Sequence, residues 1–185
     1  MEQGRDLFFK APPVNIAPII ETPRLRLRGF EPRDLDAQAA AMSDPAVVRH
    51  LGGTPFSREQ TWRKLLASPG LWVLLGYGYW VAERREDGLY RGQVGFADFK
   101  RDMVPGIEGL PEMGWIFVPQ AQGQGYAAEA VLAALTWANE TLNAAEIVAI
   151  IDPANQPSIR LAEKAGFDRR EDALYKGEPI LLFRR

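Results

Sequence analysis

The chain has 185 residues, 46% of them hydrophobic, a length and composition that suit one domain with a sizeable core. Its 22 basic and 24 acidic residues leave a net charge of −2, which provides no basic footprint for nucleic acid. With no cysteine and one histidine, the chain excludes disulfides, thiolate nucleophiles and any acyl-cysteine intermediate, and it lacks the ligands of an ordinary zinc site. No run approaches the roughly 18 apolar residues of a membrane span. The opening Glu2, Arg5 and Asp6 surround only a brief Leu7-Phe8-Phe9 cluster, which lacks the apolar stretch of a secretory signal, so the cytoplasm is the default location.

Residues 1–19, with Pro12, Pro13 and Pro18 among apolar neighbours, read as an irregular arm that packs on the body or on a second copy in a homodimer; the residues do not choose. Residues 20–185 read as a single domain. In Arg24-Leu25-Arg26-Leu27-Arg28 the period of two turns Leu25 and Leu27 to the core and the arginines to solvent. Glu31-Pro32 opens a helix through Met42, and Ser57-Arg58-Glu59-Gln60 is a capping box that starts a second helix to about Ala67. Between them lies Val47 to Pro55 with His50, which as a lone histidine is ordinarily structural or exposed, with a base near neutral pH as the functional alternative.

Leu71 to Leu75 and Tyr79 to Glu83 then read as strands broken by Gly76 and Gly78. A turn at Glu86-Asp87-Gly88 returns the chain along Tyr90 to Phe99 as an antiparallel hairpin, and a loop from Lys100 to Leu110 follows. The centre of the chain is Met113-Gly114-Trp115-Ile116-Phe117-Val118, an apolar strand closed by Pro119. Next come Gln120-Ala121-Gln122-Gly123-Gln124-Gly125-Tyr126-Ala127 and a helix to Leu142. Two glycines let backbone N–H groups converge, and the helix dipole adds positive potential at the same point, so this corner suits a pyrophosphate. The plain alternative is a tight strand-to-helix turn and nothing more.

Glu146 to Ile151 is a second apolar strand, which makes the unit a parallel strand, helix, strand crossover. Asn155 then suits an N-cap, Pro157 a first helical turn, and Gly166 the position past a helix end. Tyr175 to Pro179 reads as a turn and Ile180 to Phe183 as the last strand.

Several of these stretches carry a resemblance. Gln120-x-x-Gly123-x-Gly125 is similar to the acyl-coenzyme A pyrophosphate loop of the GNAT acetyltransferases. Glu112-Met113-Gly114-Trp115, Gly123 to Ala130, Asn155-x-x-Ser158 and Glu163 to Phe167 resemble the RimJ/RimL branch, which acetylates ribosomal-protein N-termini; Glu21 to Arg28 looks like that branch's first strand. The resemblance implies an α/β fold: a mixed sheet, antiparallel at first, with a parallel β-α-β crossover that binds acyl-coenzyme A and helices on both faces. It implies direct transfer of an acetyl group from acetyl-coenzyme A to a small-molecule amine or a peptide N-terminus, without a metal.

On this pattern Gln122, Gly123, Gln124, Gly125, Tyr126 and Ala127 hold the pyrophosphate, with the Gln120 and Gln124 side chains as extra donors. The edge from Ile116 to Val118 holds the pantetheine arm, and an N–H near Val118 meets the thioester oxyanion. Asn155 and Ser158 also contact the cofactor. Glu112 is in the general base's place, with Asp98 in reserve, and Ser158 protonates the departing sulfur. Each has a plain alternative: an exposed carboxylate at a strand end, and a hydroxyl bonded within the first helical turn. The region from Val47 to Pro55 falls on the wall of the acceptor cleft.

Two other functions fit parts of the pattern. Gly123-x-Gly125-x-x-Ala128 also matches a dinucleotide fingerprint, but it comes late and little sequence follows Asp152 to build the rest of that fold. A non-catalytic acyl-coenzyme A sensor of the same fold is the second alternative.

Overall fold

The structure, a computed structural model, describes residues 16–185. Most of the expected N-terminal arm therefore lies outside the described residues. Its described end is docked: Ala17 is in the core, and the Trp80 indole donates to Pro18 O at 2.7 Å.

Strand β1 (Ile20–Glu21) pairs with β2 (Leu25–Arg28), where Leu25 and Leu27 are fully buried, as their alternation predicts. Arg28 departs from that pattern. It is buried, donating to Asp34 (2.8 Å) and Glu83 (2.7 Å), because the 3-10 turn Pro32–Asp34 folds over the outer face of the strand there. Helices α1 (Leu35–Ser43) and α2 (Pro45–Val48) follow.

Helix α3 spans Arg58–Leu75 and opens with the expected Ser57/Gln60 capping box. It absorbs the segment Leu71 to Leu75 that the sequence assigned to a strand. A five-residue apolar run is ambiguous by period alone, and four of these residues (three leucines and a tryptophan) suit a helix as well as a strand. Pro69 removes one hydrogen bond without ending the helix, and Gly76 ends it in the left-handed conformation (φ 75°), its N–H donating to Trp72 O. The buried Trp72 ring packs edge-on against Trp80 (4.7 Å) and Trp137 (5.5 Å), contacts that outweigh the missing bond.

The hairpin of β3 (Tyr79–Arg84) and β4 (Tyr90–Ala97) forms as read. A two-residue strand β5 (Met103–Val104) lies within the expected loop, and β6 (Glu112–Phe117) is the central strand. Helix α4 (Tyr126–Thr141), β7 (Val148–Ile151) and α5 (Gln156–Lys164) complete the crossover. The chain closes with β8 (Arg169–Tyr175) and β9 (Glu178–Arg184). Strand β8 goes unread in the sequence because it begins Arg-Arg-Glu-Asp and those four residues are exposed.

The strands form one open mixed sheet in the order β1-β2-β3-β4-β6-β7-β9-β8-β5. Every pairing is antiparallel except β6 with β7, and that one is held by a single pair, Glu112 with Val148. Beyond it the two strands part. Among the described residues no helix is long and apolar enough to cross a membrane.

Candidate active site

The split between β6 and β7 positions the site. Val148 N–H donates to Pro111 O at the closed end; β6 pairs with β4 and β7 with β9 along their whole lengths, so beyond that end the facing edges of β6 and β7 are both left bare. Ligands of α/β sheets bind where neighbouring strands leave such an opening at their carboxyl ends. The ladder with β4 decides which groups line the bare edge. Val118 N–H donates to Arg91 O at 3.0 Å, so by strand alternation Ile116 and Gly114 also face β4. Of the expected edge from Ile116 to Val118, the structure corrects Ile116 and Val118, whose N–H groups face β4; Phe117, next to Val118, faces the opening, and so does Trp115.

At the carboxyl end of β6 the chain makes a 3-10 turn, Pro119–Ala121, then passes Gly123 (φ 71°) and Gly125 (φ 80°) into α4. Both glycines are left-handed, a conformation that favours residues without a side chain. The loop is fastened by its carbonyls. Arg24 Nη1 donates to Gln124 O at 2.7 Å, and Gln124 Nε2 donates to Gln120 O at 2.6 Å. Among the described residues the backbone N–H groups of Gly123, Gln124, Gly125, Tyr126 and Ala127 have no hydrogen-bond partner. The Gln124 side chain thus fastens the loop with one of its two N–H donors. Gln122 does the same, its Nε2 reaching Phe117 O at 3.4 Å, and the Tyr126 ring is buried beneath the Arg24 guanidinium at 4.5 Å.

Arg24 is held in turn by Glu129, a brace the sequence reading missed. Glu129 accepts from Thr22 Oγ1 (2.6 Å), Arg24 N–H (2.8 Å) and Arg24 Nε (2.6 Å). Burial raises the Glu129 pKa, but these hydrogen bonds outweigh it and hold the carboxyl below its usual range. The sequence signal was there: Glu129 is the one charge in the otherwise apolar first half of α4.

Across the split, Asn155 caps α5, accepting from Ser158 N–H at 3.2 Å. Ser158 Oγ accepts from the Trp115 indole at 3.3 Å, a contact that spans the opening. A hydroxyl that accepts this bond keeps its own proton free to donate. His50 also reaches this side: its Nδ1 lies 2.7 Å from Asp152 Oδ2, joining the loop after α2 to the end of β7. That hydrogen bond is the main cause that holds the Asp152 carboxyl below its usual range.

Glu112 is buried at the closed end of the split. Arg101 grips both its oxygens, Nε at 2.5 Å and Nη2 at 2.8 Å. Tyr79 is adjacent, its hydroxyl filling the space where a Gly114 side chain would begin. Burial, and after it the Glu112 charge, raises the Tyr79 pKa. Asp98 is not grouped with Glu112. It organises the following loop, accepting from Lys100 N–H and Gly109 N–H, and these bonds with the Lys100 ammonium at 2.7 Å lower its pKa although burial raises it.

A mixed sheet split beside its one parallel pair, with bare amides on one lip and a hydroxyl on the other, is the architecture of an acyl-transfer domain. Residues 24–168 match the family described as "Acetyltransferase (GNAT) domain", and the chain belongs to that family. It is 32% identical over 160 residues to the Bacillus subtilis protein named "uncharacterized N-acetyltransferase YnaD", covering 86% of this chain and 88% of that one. A Bordetella pertussis structure assigned to the GnaT-family acetyltransferases superposes with a TM-score of 0.79 at 30% identity, over 91% of this chain and 99% of the other. The coenzyme A complex of the L7/L12 N-acetyltransferase RimL shares the fold (TM-score 0.71, 91% of this chain, 97% of the other) at 18% identity, so the branch resemblance extends to the fold alone.

Proposed function

We propose that the protein transfers an acetyl group from acetyl-coenzyme A to an amine, by direct attack within a ternary complex. The observation that carries this reading is the row of unpartnered N–H groups from Gly123 to Ala127 just past the carboxyl end of β6, the strand whose Trp115 reaches Ser158 across the split. Those amides and the dipole of α4 hold the pyrophosphate. The bare edge at Trp115 and Phe117 pairs with the amide-bearing arm as a neighbouring strand would, and one of those N–H groups receives the carbonyl oxygen as it becomes an oxyanion. Ser158 gives its proton to the departing sulfur. Glu112 takes the proton of the acceptor ammonium once Arg101 has released it.

The acceptor is a peptide N-terminus or a small-molecule amine. The first follows the RimJ/RimL resemblance; the second has a counterpart of the same fold in the Vibrio cholerae spermidine N-acetyltransferase, solved with coenzyme A and spermine, at 18% identity. The test is a thermal-shift titration with coenzyme A, then a thiol-release assay over peptides, polyamines, amino acids and aminoglycosides. Stabilisation by coenzyme A together with turnover of at least one amine is the expected result. Failure of coenzyme A to stabilise the protein would remove the reading altogether.

The engagement of both Glu112 oxygens favours one second reading, a sensor that binds acyl-coenzyme A without turnover. Tight cofactor binding with only background thiol release across the whole panel would select it.

A further inference from the structure

Glu112 and its neighbours enclose a positive charge, and the charge they enclose is the protein's own Arg101. Both Glu112 carboxylate oxygens grip one edge of the guanidinium, Nε and Nη2, and its central carbon lies 4.9 Å from the centre of the Phe99 ring and 4.8 Å from that of Tyr175. Tyr79 stands behind Phe99, with ring centres 6.5 Å apart. A carboxylate floor with aromatic walls is the donor set for an ammonium or guanidinium ion: the carboxylate supplies the counter-charge and the ring faces carry negative potential. The residues come from four places, β6, the segment after β4, the end of β8 and the start of β3, so the enclosure is built by the fold and not by one local turn.

Its present occupant is held by its side chain alone. Arg101 lies between the end of β4 and the start of β5, and among the described residues its backbone N–H and C=O make no hydrogen bond, so side-chain contacts hold it. The Arg101 side chain keeps 19% of its exposure and Phe99 is 48% exposed, which leaves one side of the enclosure open to water. Glu112, by contrast, is 4% exposed and has no partner other than Arg101 among the described residues. A carboxylate taken out of water needs a cation at all times, whether its own or a visitor's.

We propose that this enclosure is the seat of the acceptor's positively charged amine, and that Arg101 is an internal occupant which the acceptor displaces. The inference rests on the acetyl-transfer reading above and adds the class of acceptor: an amine that arrives protonated, not a weakly basic arylamine. Once seated, the ammonium gives one proton to a Glu112 oxygen, directly or through water. The neutral nitrogen attacks the thioester carbon, the carbon–nitrogen bond forms, and the carbon–sulfur bond breaks with the Ser158 proton passing to sulfur. The second proton of the attacking nitrogen passes to the Ser158 oxygen, which restores that hydroxyl; Glu112 releases its proton to solvent, and Arg101 closes again over the empty seat. Because Arg101 competes for the seat, it raises the acceptor's KM and leaves that of acetyl-coenzyme A alone.

The experiment uses the full chain, with 1,4-diaminobutane and agmatine as cationic probes and aniline as the uncharged one. In Arg101→Gln, each cationic probe raises the unfolding temperature more than in wild type, and its KM as acceptor falls about tenfold. The KM of acetyl-coenzyme A and the response to aniline stay unchanged. Adding Tyr175→Leu to Arg101→Gln removes the extra stabilisation. An Arg101→Gln protein that is less stable but responds to the cations as wild type does would make the pair a purely structural one and overturn the proposal. Should Arg101→Gln not fold, Arg101→Lys, which keeps the charge and loses the two-pronged grip, decides on the same readouts: an intermediate gain supports the proposal, equality with wild type sinks it. If no variant acetylates any amine while coenzyme A still binds, the transfer reading fails separately, and probe-dependent unfolding still decides the seat.

Discussion

On the proposed reading, the cofactor and the acceptor are recognised by different means. The lip after β6 offers backbone amides, fixed by left-handed glycines and braced from behind through Arg24 and Glu129. The proposed acceptor seat offers side chains, with Arg101 in an ion pair with Glu112, and nearby His50 is hydrogen-bonded to Asp152. Backbone recognition suits a part common to every turnover, since all amide hydrogens are alike and only their direction matters. Side-chain pairs can be exchanged residue by residue without disturbing the sheet, which suits the part where acceptors differ.

Mutations sharpen this contrast in order of size. The largest effect is expected at the hydroxyl that serves both sides: Ser158→Ala lowers kcat by about 100-fold, the lower range for proton transfer by a positioned group, with coenzyme A affinity nearly unchanged by titration calorimetry. An unchanged kcat would leave Ser158 as a local hydrogen-bonding group only.

Next comes the brace. Glu129→Gln keeps the shape but loses the charge that accepts three hydrogen bonds, and costs about 2 kcal/mol in urea unfolding. It also weakens coenzyme A binding while the acceptor KM stays put; a change in acceptor KM instead would break the division between the two sides. The brace has a pH signature. The folded Glu129 pKa lies below the ordinary value of 4.5, so its contribution is fully present above that pH and is lost as pH falls through the lower, folded-state value. In Glu129→Gln, this part of the acid sensitivity is absent.

Smaller still is Gly123→Ala. No atom lies within 4 Å of the added methyl group, so the cost is the left-handed backbone alone, about 1 to 2 kcal/mol, read as weaker coenzyme A binding. The smallest is His50→Gln, which gives up one half-buried bond and shifts acceptor KM by about threefold, with cofactor binding untouched. A larger loss of coenzyme A affinity in His50→Gln than in Gly123→Ala would reverse the comparison.

The same contrast explains what the sequence disclosed. The crossover from β6 to α5 was legible almost to the residue, because glycine positions, the Asn155 cap and an apolar period are local signals. The expected donors Ile116 and Val118 were wrong by one place. Apolar content marks a strand but not its parity, which the ladder with β4 sets. Leu71 to Leu75 misled for a related reason, since a Trp72 side chain that packs on two other tryptophans pulls an ambiguous run into a helix. Strand β8 was hidden by its charges, and Arg28 by a turn that folds over it. The partners of Glu112 and His50 were not legible at all: they come from 11 and 102 positions away, and nothing near either residue announces them.

The tryptophan cluster gives the molecule two optical clocks. Trp72, Trp80 and Trp137 meet edge to edge and bind α3, β3 and α4 together, with Phe96 against two of them. Rings coupled at such separations produce a strong near-ultraviolet circular dichroism band that persists only while those three elements remain assembled. Trp115 sits apart from them at the mouth of the split, so its fluorescence responds to whatever enters there. Loss of the first signal times global unfolding, and a change in the second times ligand arrival, in the same cuvette and without a label.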